Sequence, residues 1–207
     1  MSKIYLIRHG QTDWNLAHRI QGQRDIPLNE TGRQQAAQLA EGMRERPVAR
    51  VFTSPMSRAR ETAEAVASSQ NVPLYLVNGL EEINYGKWEG MTMEEIRKTY
   101  PAEYDAWWKD PVNGAPHGGE SQMDVLVRTA RAMEAIKANI ASDGAGAVAV
   151  VSHGASICCI LPWLLKEDMP TEDGYSIINA AITVIDYDLE TGKCVLEMLN
   201  DTRHLKA

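Results

Sequence analysis

The stretch Lys3-Ile4-Tyr5-Leu6-Ile7-Arg8-His9-Gly10 runs apolar from Ile4 through Ile7 and then stops at a cation, an imidazole and a glycine. The apolar part reads as a buried strand. Its tip is a costly place for Arg8, because desolvating an unpaired guanidinium takes several kcal/mol or more. In an open α/β sheet, ligands sit off the carboxyl ends of the strands. Two readings follow from this stretch alone: Arg8 and His9 face an anionic ligand, or Arg8 pairs with an acid while His9 merely caps the strand. A distant stretch favours the first. Val148-Ala149-Val150-Val151-Ser152-His153-Gly154 repeats the apolar strand followed by His-Gly. Two strands ending at the same edge of one parallel sheet would bring both imidazoles into one pocket.

Between these strands, Gln11 to Leu28 lacks periodicity and holds Gly22, Asp25 and Pro27, so it predicts a long loop over the strand tip. Long loops in compact domains are usually functional. Thr31 to Arg46 reads as a helix, with a Thr31/Gln34 capping box, a stripe of Ala36, Ala37, Leu39, Ala40 and Met43, and Pro47 as its stop. Arg50 to Thr53 predicts a short strand. Ser54-Pro55 predicts a helix start with Ser54 as N-cap, the helix running to about Ser69. Arg58 then falls near free backbone N–H groups, a ready anion site. On a helix that also carries Arg60, Glu61 and Glu64, a merely solvated arginine is the alternative.

Leu74 to Val77 predicts a third strand, followed by Glu81-Glu82 in a loop. Tyr85 to Gly119 changes character, with Trp88, Tyr100, Tyr104, Trp107 and Trp108 among glycines and prolines and a short helix capped by Thr92 and Glu95. These aromatics either pack a small core of their own or line a pocket. Ser121 caps a long helix to about Ala141, Gly154 to Leu165 reads as another, and Ala181 to Tyr187 with Cys194 to Leu199 predict a hairpin turning at Glu190-Thr191-Gly192. The expected fold is α/β: a mixed, mainly parallel central sheet flanked by helices on both faces. A small helical insertion or lid at about 86–120 interrupts a single domain spanning 1–207.

Composition narrows the function. The chain of 207 residues carries a net charge of −7 and a pI near 5.3, which argues against a nucleic-acid partner. Nothing near the N-terminus approaches a signal peptide and no later run could span a bilayer, so a cytoplasmic protein without a membrane partner is expected. Cys158, Cys159 and Cys194 suit neither a disulfide frame nor a zinc site and read as buried free thiols. Gly-x-x-x-x-Gly-Lys-Ser/Thr, Gly-x-Gly-x-x-Gly after the first strand, a strand-end Asp-x-Asp, a cysteine with arginine six positions later, and Gly-x-Ser-x-Gly are all missing. No His/Asp cluster suggests a metal. What remains is two histidines, at least two arginines and a carboxylate, with no cofactor. Imidazole is a competent nucleophile and arginines match phosphate oxygens, a set sufficient for phosphoryl transfer through a phospho-histidine.

Arg8-His9-Gly10-Gln11-Thr12-Asp13-Trp14-Asn15, then Gln21 to Leu28 and Gly32, resembles the first signature of the histidine phosphatase superfamily, the phosphoglycerate-mutase-like proteins. Ser54 to Ala63, Glu82 to Gly90, Gly119-Glu120-Ser121 and Val151 to Gly154 resemble its later motifs, in the family's order and across most of the chain. The resemblance implies His9 as the phosphorylated nucleophile. Arg8, Arg58 and His153 would grip the phosphoryl oxygens, and Glu82 would be the proton donor to the leaving group and then the base for water. Glu81 is the neighbouring alternative, but the spacing to Gly86 favours Glu82. Asn15, Gln21 and the Gly154 N–H would complete the phosphate pocket, with Thr12 nearby. Guanidinium charge also favours a neutral, nucleophilic His9. His18, His117 and His204 match no motif and read as surface or loop residues.

The family includes phosphatases, cofactor-dependent mutases and members that only bind. Its mutases carry further cations, including an arginine pair, in a longer insertion. Here that region offers Lys87, Arg97, Lys98 and Lys109 without an Arg-Arg pair, and the tail after Leu199 is short. The expectation is therefore hydrolysis of a small-molecule phosphoester. Mutase and non-catalytic binder are the alternatives, and a homodimer is left open.

Overall fold

The apolar residues of the first strand are buried on both of its faces, and that sets the layering of the whole chain. In a computed structural model, which describes residues 2–142, 146–169 and 175–206, β1 (Ser2–Arg8), β2 (Arg50–Thr53), β3 (Leu74–Leu76), β4 (Val148–Ser152), β5 (Ile182–Tyr187) and β6 (Cys194–Asp201) form one six-stranded sheet. Its order is β3-β2-β4-β1-β5-β6. The pairs β2/β3, β2/β4 and β1/β4 are parallel, whereas β1/β5 and β5/β6 are antiparallel. This is the mixed, mainly parallel sheet expected.

The helices are α1 (Asp13–Leu16), α2 (Glu30–Gly42), α3 (Ser57–Gln70), α4 (Met93–Thr99), α5 (Pro101–Lys109), α6 (Gln122–Ser142) and α7 (Gly154–Leu165). Strand side chains alternate, so neighbours along β1 and β4 enter different cores. Ile4, Leu6, Val148 and Val150 pack with Met133, Ile136 and Ile140 of α6 and Ile157, Ile160 and Leu161 of α7. Tyr5, Ile7, Ala149 and Val151 pack with Leu39 of α2 and Ala59, Ala63 and Val66 of α3. A sheet covered on both faces needs apolar residues at every position of its central strands, which is why those strands read as unbroken runs. Among the described residues no helix is long and apolar enough to cross a membrane. The three cysteines are free thiols, and burial pushes the Cys158 and Cys159 pKa values up to about 12.

Three local expectations are corrected. The loop over the strand tip contains the one-turn helix α1, closed by a capping box between Thr12 and Asn15. Helix α2 starts two residues earlier than the Thr31/Gln34 pair implies: Asn29 is its N-cap and accepts from Gly32 N at 2.8 Å, and it ends at Gly42, before Pro47. Helix α3 begins at Ser57 rather than at Ser54-Pro55, and its N-cap Met56 supplies no side-chain bond. The cap comes from another segment: Asp25 Oδ1 accepts both Ser57 N and Ser57 Oγ at 2.8 Å.

The region from Tyr85 to Gly119 is a 3-10 turn, Gly86–Trp88, followed by α4 and α5. The Thr92/Glu95 capping box is present. Trp88 is buried and meets Trp107 edge-on at 5.7 Å; Trp107 meets Trp108 at 5.2 Å, and Tyr104 meets Trp108 at 6.0 Å. Tyr104, Trp107 and Trp108 thus cluster with buried Trp88, while Trp108 stays exposed.

Candidate active site

Parallel pairing places the two His-Gly units side by side. Arg8 stands opposite Ser152 in the β1/β4 register, and the His9 N–H donates to the Ser152 carbonyl at 3.0 Å. The imidazoles of His9 and His153 consequently lie 5.1 Å apart, centroid to centroid. Strand β2 ends at the same edge, and Ser54 beyond it puts its Oγ 2.8 Å from His153 Nε2.

His9 is 2% exposed. Its Nδ1 lies 2.7 Å from the Gly10 carbonyl oxygen. A carbonyl only accepts, so Nδ1 bears the hydrogen and Nε2 keeps its lone pair. Burial first, then the charges of Arg58 and Arg8, push the His9 pKa well below the ordinary imidazole value. The ring is neutral at pH 7. Burial, Arg58, His9, Arg8 and Arg128 push His153 in the same direction, and its Nδ1 is buried without a hydrogen-bond partner.

Arg58 is fully buried, which dismisses the solvated-arginine reading. It donates to the carbonyls of Gly22 and Arg24, both at 2.8 Å, and so anchors the loop ahead of α2. Arg8 donates Nη1 to the Ile177 carbonyl. The Nε atoms of both arginines are buried without a partner. Burial pushes the two guanidinium pKa values down while the nearby Glu82 carboxylate pushes them back up. Both remain cations, since arginine does not deprotonate in proteins.

Glu82 stands at the N-terminus of α7. Its carboxylate accepts from Ile83 N at 3.0 Å, Ser156 N at 3.2 Å and Ala155 N at 3.3 Å. The Ala155 and Ser156 N–H groups are the unpaired donors at the start of α7, which favour an anion. The Glu81 carboxylate turns away and accepts from Gly79 N at 2.6 Å. Of the two acids, Glu82 is therefore the one whose charge acts on Arg8 and Arg58.

The remaining expected residues divide. Gly154 opens α7 directly against Arg8: a Cβ there would lie 3.5 Å from the guanidinium carbon. Gln21 is buried, with Oε1 unpartnered. The Asn15 Oδ1 accepts from Thr12 N, Thr12 Oγ1 and Asn179 Nδ2. The Thr12 hydroxyl is used in that capping box, so Thr12 shapes the loop. Glycine is required where this loop packs: a Cβ on Gly10 would sit 2.5 Å from the Gly32 carbonyl oxygen, and one on Gly22, at φ +52, would sit 2.0 Å from Glu89 Oε1.

Sequence reading missed three contributors. Ser54 is the partner of His153 rather than a helix cap, although its place in the second motif is a usable signal. Asn179 Nδ2 donates to the His9 carbonyl at 2.9 Å, and Ala180 N donates to the Arg8 carbonyl at 3.0 Å. No local pattern marks either of these. Among the described residues, no group of three or more His, Cys, Asp or Glu could hold a metal ion.

Comparison with known proteins bears on this constellation. Residues 4–202 match the family model described as "Histidine phosphatase superfamily (branch 1)". A Proteus mirabilis protein named "Probable phosphoglycerate mutase GpmB" is 32% identical, over 99% of this chain and 95% of that protein. "Phosphoserine phosphatase 1" of Hydrogenobacter thermophilus is 31% identical, over 99% of this chain and 95% of that protein. The solved structure of Bacillus stearothermophilus YhfR superposes with a TM-score of 0.86 at 32% identity, covering 99% of both chains.

Proposed function

Given that this chain belongs to the histidine phosphatase superfamily, we propose that it is a metal-independent phosphomonoester hydrolase acting on small phosphorylated metabolites through a phospho-histidine. One observation carries the reading: the Nδ1–H of His9 is committed to the Gly10 carbonyl, leaving a Nε2 lone pair in a pocket held by two arginines. His9 Nε2 attacks phosphorus, the P–N bond forms, and the ester P–O bond breaks. As the ring gains positive charge, its bond to Gly10 strengthens. Arg8, Arg58 and His153 take the phosphoryl oxygens, with the Gln21 amide, Asn15 and the Gly154 N–H around them. Their fixed donors stabilise charge where it develops, without reorganisation during the reaction. Glu82 acts as the general acid and gives a proton to the departing oxygen. Its carboxylate then takes a proton from water as that water attacks phosphorus and the P–N bond breaks. Inorganic phosphate leaves and His9 returns to its neutral form.

A second reading, phosphoglycerate mutase, is favoured by the name of the Proteus mirabilis relative. Transfer requires that a bisphosphate be held across the pocket, so cations opposite His9 would be needed. The phosphatase name of the Hydrogenobacter thermophilus relative, together with the lack of an Arg-Arg pair in residues 86–120, supports hydrolysis instead.

The test is a phosphomonoester panel, including phosphoserine, 3-phosphoglycerate and 2,3-bisphosphoglycerate, run after exhaustive EDTA dialysis with kcat/KM for phosphate release set beside phosphoryl transfer. Release exceeding transfer is expected. Rapid quenching with labelled substrate should trap an acid-labile, base-stable phosphoramidate that His9→Ala abolishes. Dominant transfer from 2,3-bisphosphoglycerate would establish the mutase. Absence of both activities would leave a binding module, and activity restored only by added Mg²⁺ or Zn²⁺ would end the metal-independent reading.

A further inference from the structure

Arg128, on α6, uses all five N–H groups of its guanidinium, three on carbonyls of the loop that carries Glu82 and two on the Glu120 carboxylate. Nε donates to Glu120 Oε1 at 2.8 Å, and Nη1 donates to the carbonyls of Gly79 and Glu81 at 2.9 and 2.7 Å. Nη2 donates to the Glu82 carbonyl and to Glu120 Oε2, both at 3.0 Å. Glu120 carries the hold further along the loop: its Oε2 accepts from Asn84 N and its own N–H donates to the Asn84 carbonyl, both at 2.8 Å. One ion pair therefore engages the backbone at residues 79, 81, 82 and 84.

The loop needs such a partner. It has no strand or helix to pair its carbonyls, yet it passes between buried Leu80 and Ile83. Inward-facing backbone carbonyls left without donors are destabilising. The Arg128 and Glu120 side chains are themselves 20% and 23% exposed, so the pair is largely desolvated and its geometry is narrowly set. From the other side, Ser152 Oγ donates to the Leu80 carbonyl at 2.8 Å and Ser156 Oγ to the Glu81 carbonyl. Gln23 Nε2 reaches the Glu82 carbonyl at 3.2 Å, but from an exposed side chain. Among the described residues, Arg128 is the side chain that takes three of this loop's carbonyls, those of Gly79, Glu81 and Glu82.

We infer that Arg128, locked by Glu120, is a positioning residue for the reaction: it fixes the Glu82 backbone so that the carboxyl meets the leaving oxygen. This rests on the reading of Glu82 as the proton donor. A lysine cannot replace it, because a point-like ammonium with three donors cannot fork onto a carboxylate while reaching three carbonyls.

The experiment compares His9 phosphorylation by an alkyl phosphate and by p-nitrophenyl phosphate in wild type, Arg128→Met, Arg128→Lys, Glu120→Gln and Glu82→Gln, with thermal unfolding as a control. Displacing the donor by about an ångström should slow the alkyl reaction about 10- to 100-fold in kcat with little change in KM, and the aryl reaction less than about threefold. Arg128→Lys should recover only part of the loss. Arg128→Met added to Glu82→Gln should cause almost no further loss, since both act through one group. Should Arg128→Met fail to fold, Glu120→Gln enters the same cycle, with the same leaving-group selectivity expected at smaller size. Equal losses for both substrates, or full additivity with Glu82→Gln, would overturn the positioning role while leaving Glu82 as the acid. No leaving-group dependence in Glu82→Gln itself would overturn the acid, and this inference with it.

Discussion

Two adjacent acids, Glu81 and Glu82, differ in what they touch, and that difference makes a residue-scale prediction. Glu82 accepts from the first N–H groups of α7 and its charge acts on Arg8 and Arg58, whereas Glu81 is bonded to Gly79 N. A proton donor matters only when the leaving oxygen is basic. Glu82→Gln should therefore slow His9 phosphorylation by an alkyl phosphate by about 100- to 10,000-fold and by p-nitrophenyl phosphate far less. Water attack would still lack its base, so the aryl substrate should give a burst of one enzyme equivalent of phenolate and then slow turnover. Stopped-flow and rapid-quench kinetics on Glu82→Gln and Glu81→Gln check this. A leaving-group-dependent loss in Glu81→Gln instead would move the acid one residue along. The preference for Glu82 over Glu81 came from motif spacing to Gly86, which is legible in the sequence. The environment of Glu82 is not, because the donors come from residues 155 and 156.

At the scale of elements, helix starts show where local reading succeeds. Thr92 with Glu95 and Ser121 with Asp124 are caps closed within four residues of chain, and the structure has both. At α2 the cap is Asn29 rather than the expected Thr31: Asn29 Oδ1 accepts from Gly32 N, and Asn29 Nδ2 donates to Gln11 Oε1 at 3.0 Å. Asn29→Ala should lower stability by about 1 kcal/mol, as loss of an N-cap does. Thr31→Ala, on the exposed side, should stay within about 0.5 kcal/mol of wild type. Urea unfolding of both variants decides between them, and the reverse ranking would return the cap to Thr31. At α3 no local residue caps at all, because Asp25, from the preceding loop, does so.

At the scale of the whole molecule, the cation-lined pocket makes stability depend on pH. His9 and His153 are buried, and burial with the charges of Arg58 and Arg8 holds both pKa values well below the ordinary value. An unfolded histidine titrates near 6.5, so below that pH the unfolded chain binds more protons than the folded one. Stability should thus be intact above about pH 7 and fall as pH drops through 6.5 toward the folded values. Half-buried His204, also depressed by burial, acts in the same direction. Asp201, held low by Arg203 and Arg46, contributes stability that is lost only at more acid pH, below the ordinary carboxylate range. Between pH 7.5 and 5.5 stability should fall, as the unfolded histidines take up protons that buried His9 and His153 resist. Denaturant titrations at the two pH values should show this loss in wild type and a flatter profile in His9→Gln/His153→Gln. An unchanged slope in the double variant would place the pH dependence elsewhere.

The mixed, mainly parallel sheet with helices on both faces and the meeting of His9 with His153 were determined by the sequence alone. The physical reason is that apolar runs buried on both faces must be central strands, and two such runs ending in His-Gly deliver their imidazoles to the same edge. Tertiary structure alone decided which atoms serve whom. Ser54 reaches His153 across 99 residues of chain, Asn179 reaches the His9 carbonyl across 170, and Arg128 closes the Glu82 loop from a different helix. Such contacts satisfy buried polar groups whose partners lie on other elements, and residue spacing carries no record of which donor will arrive.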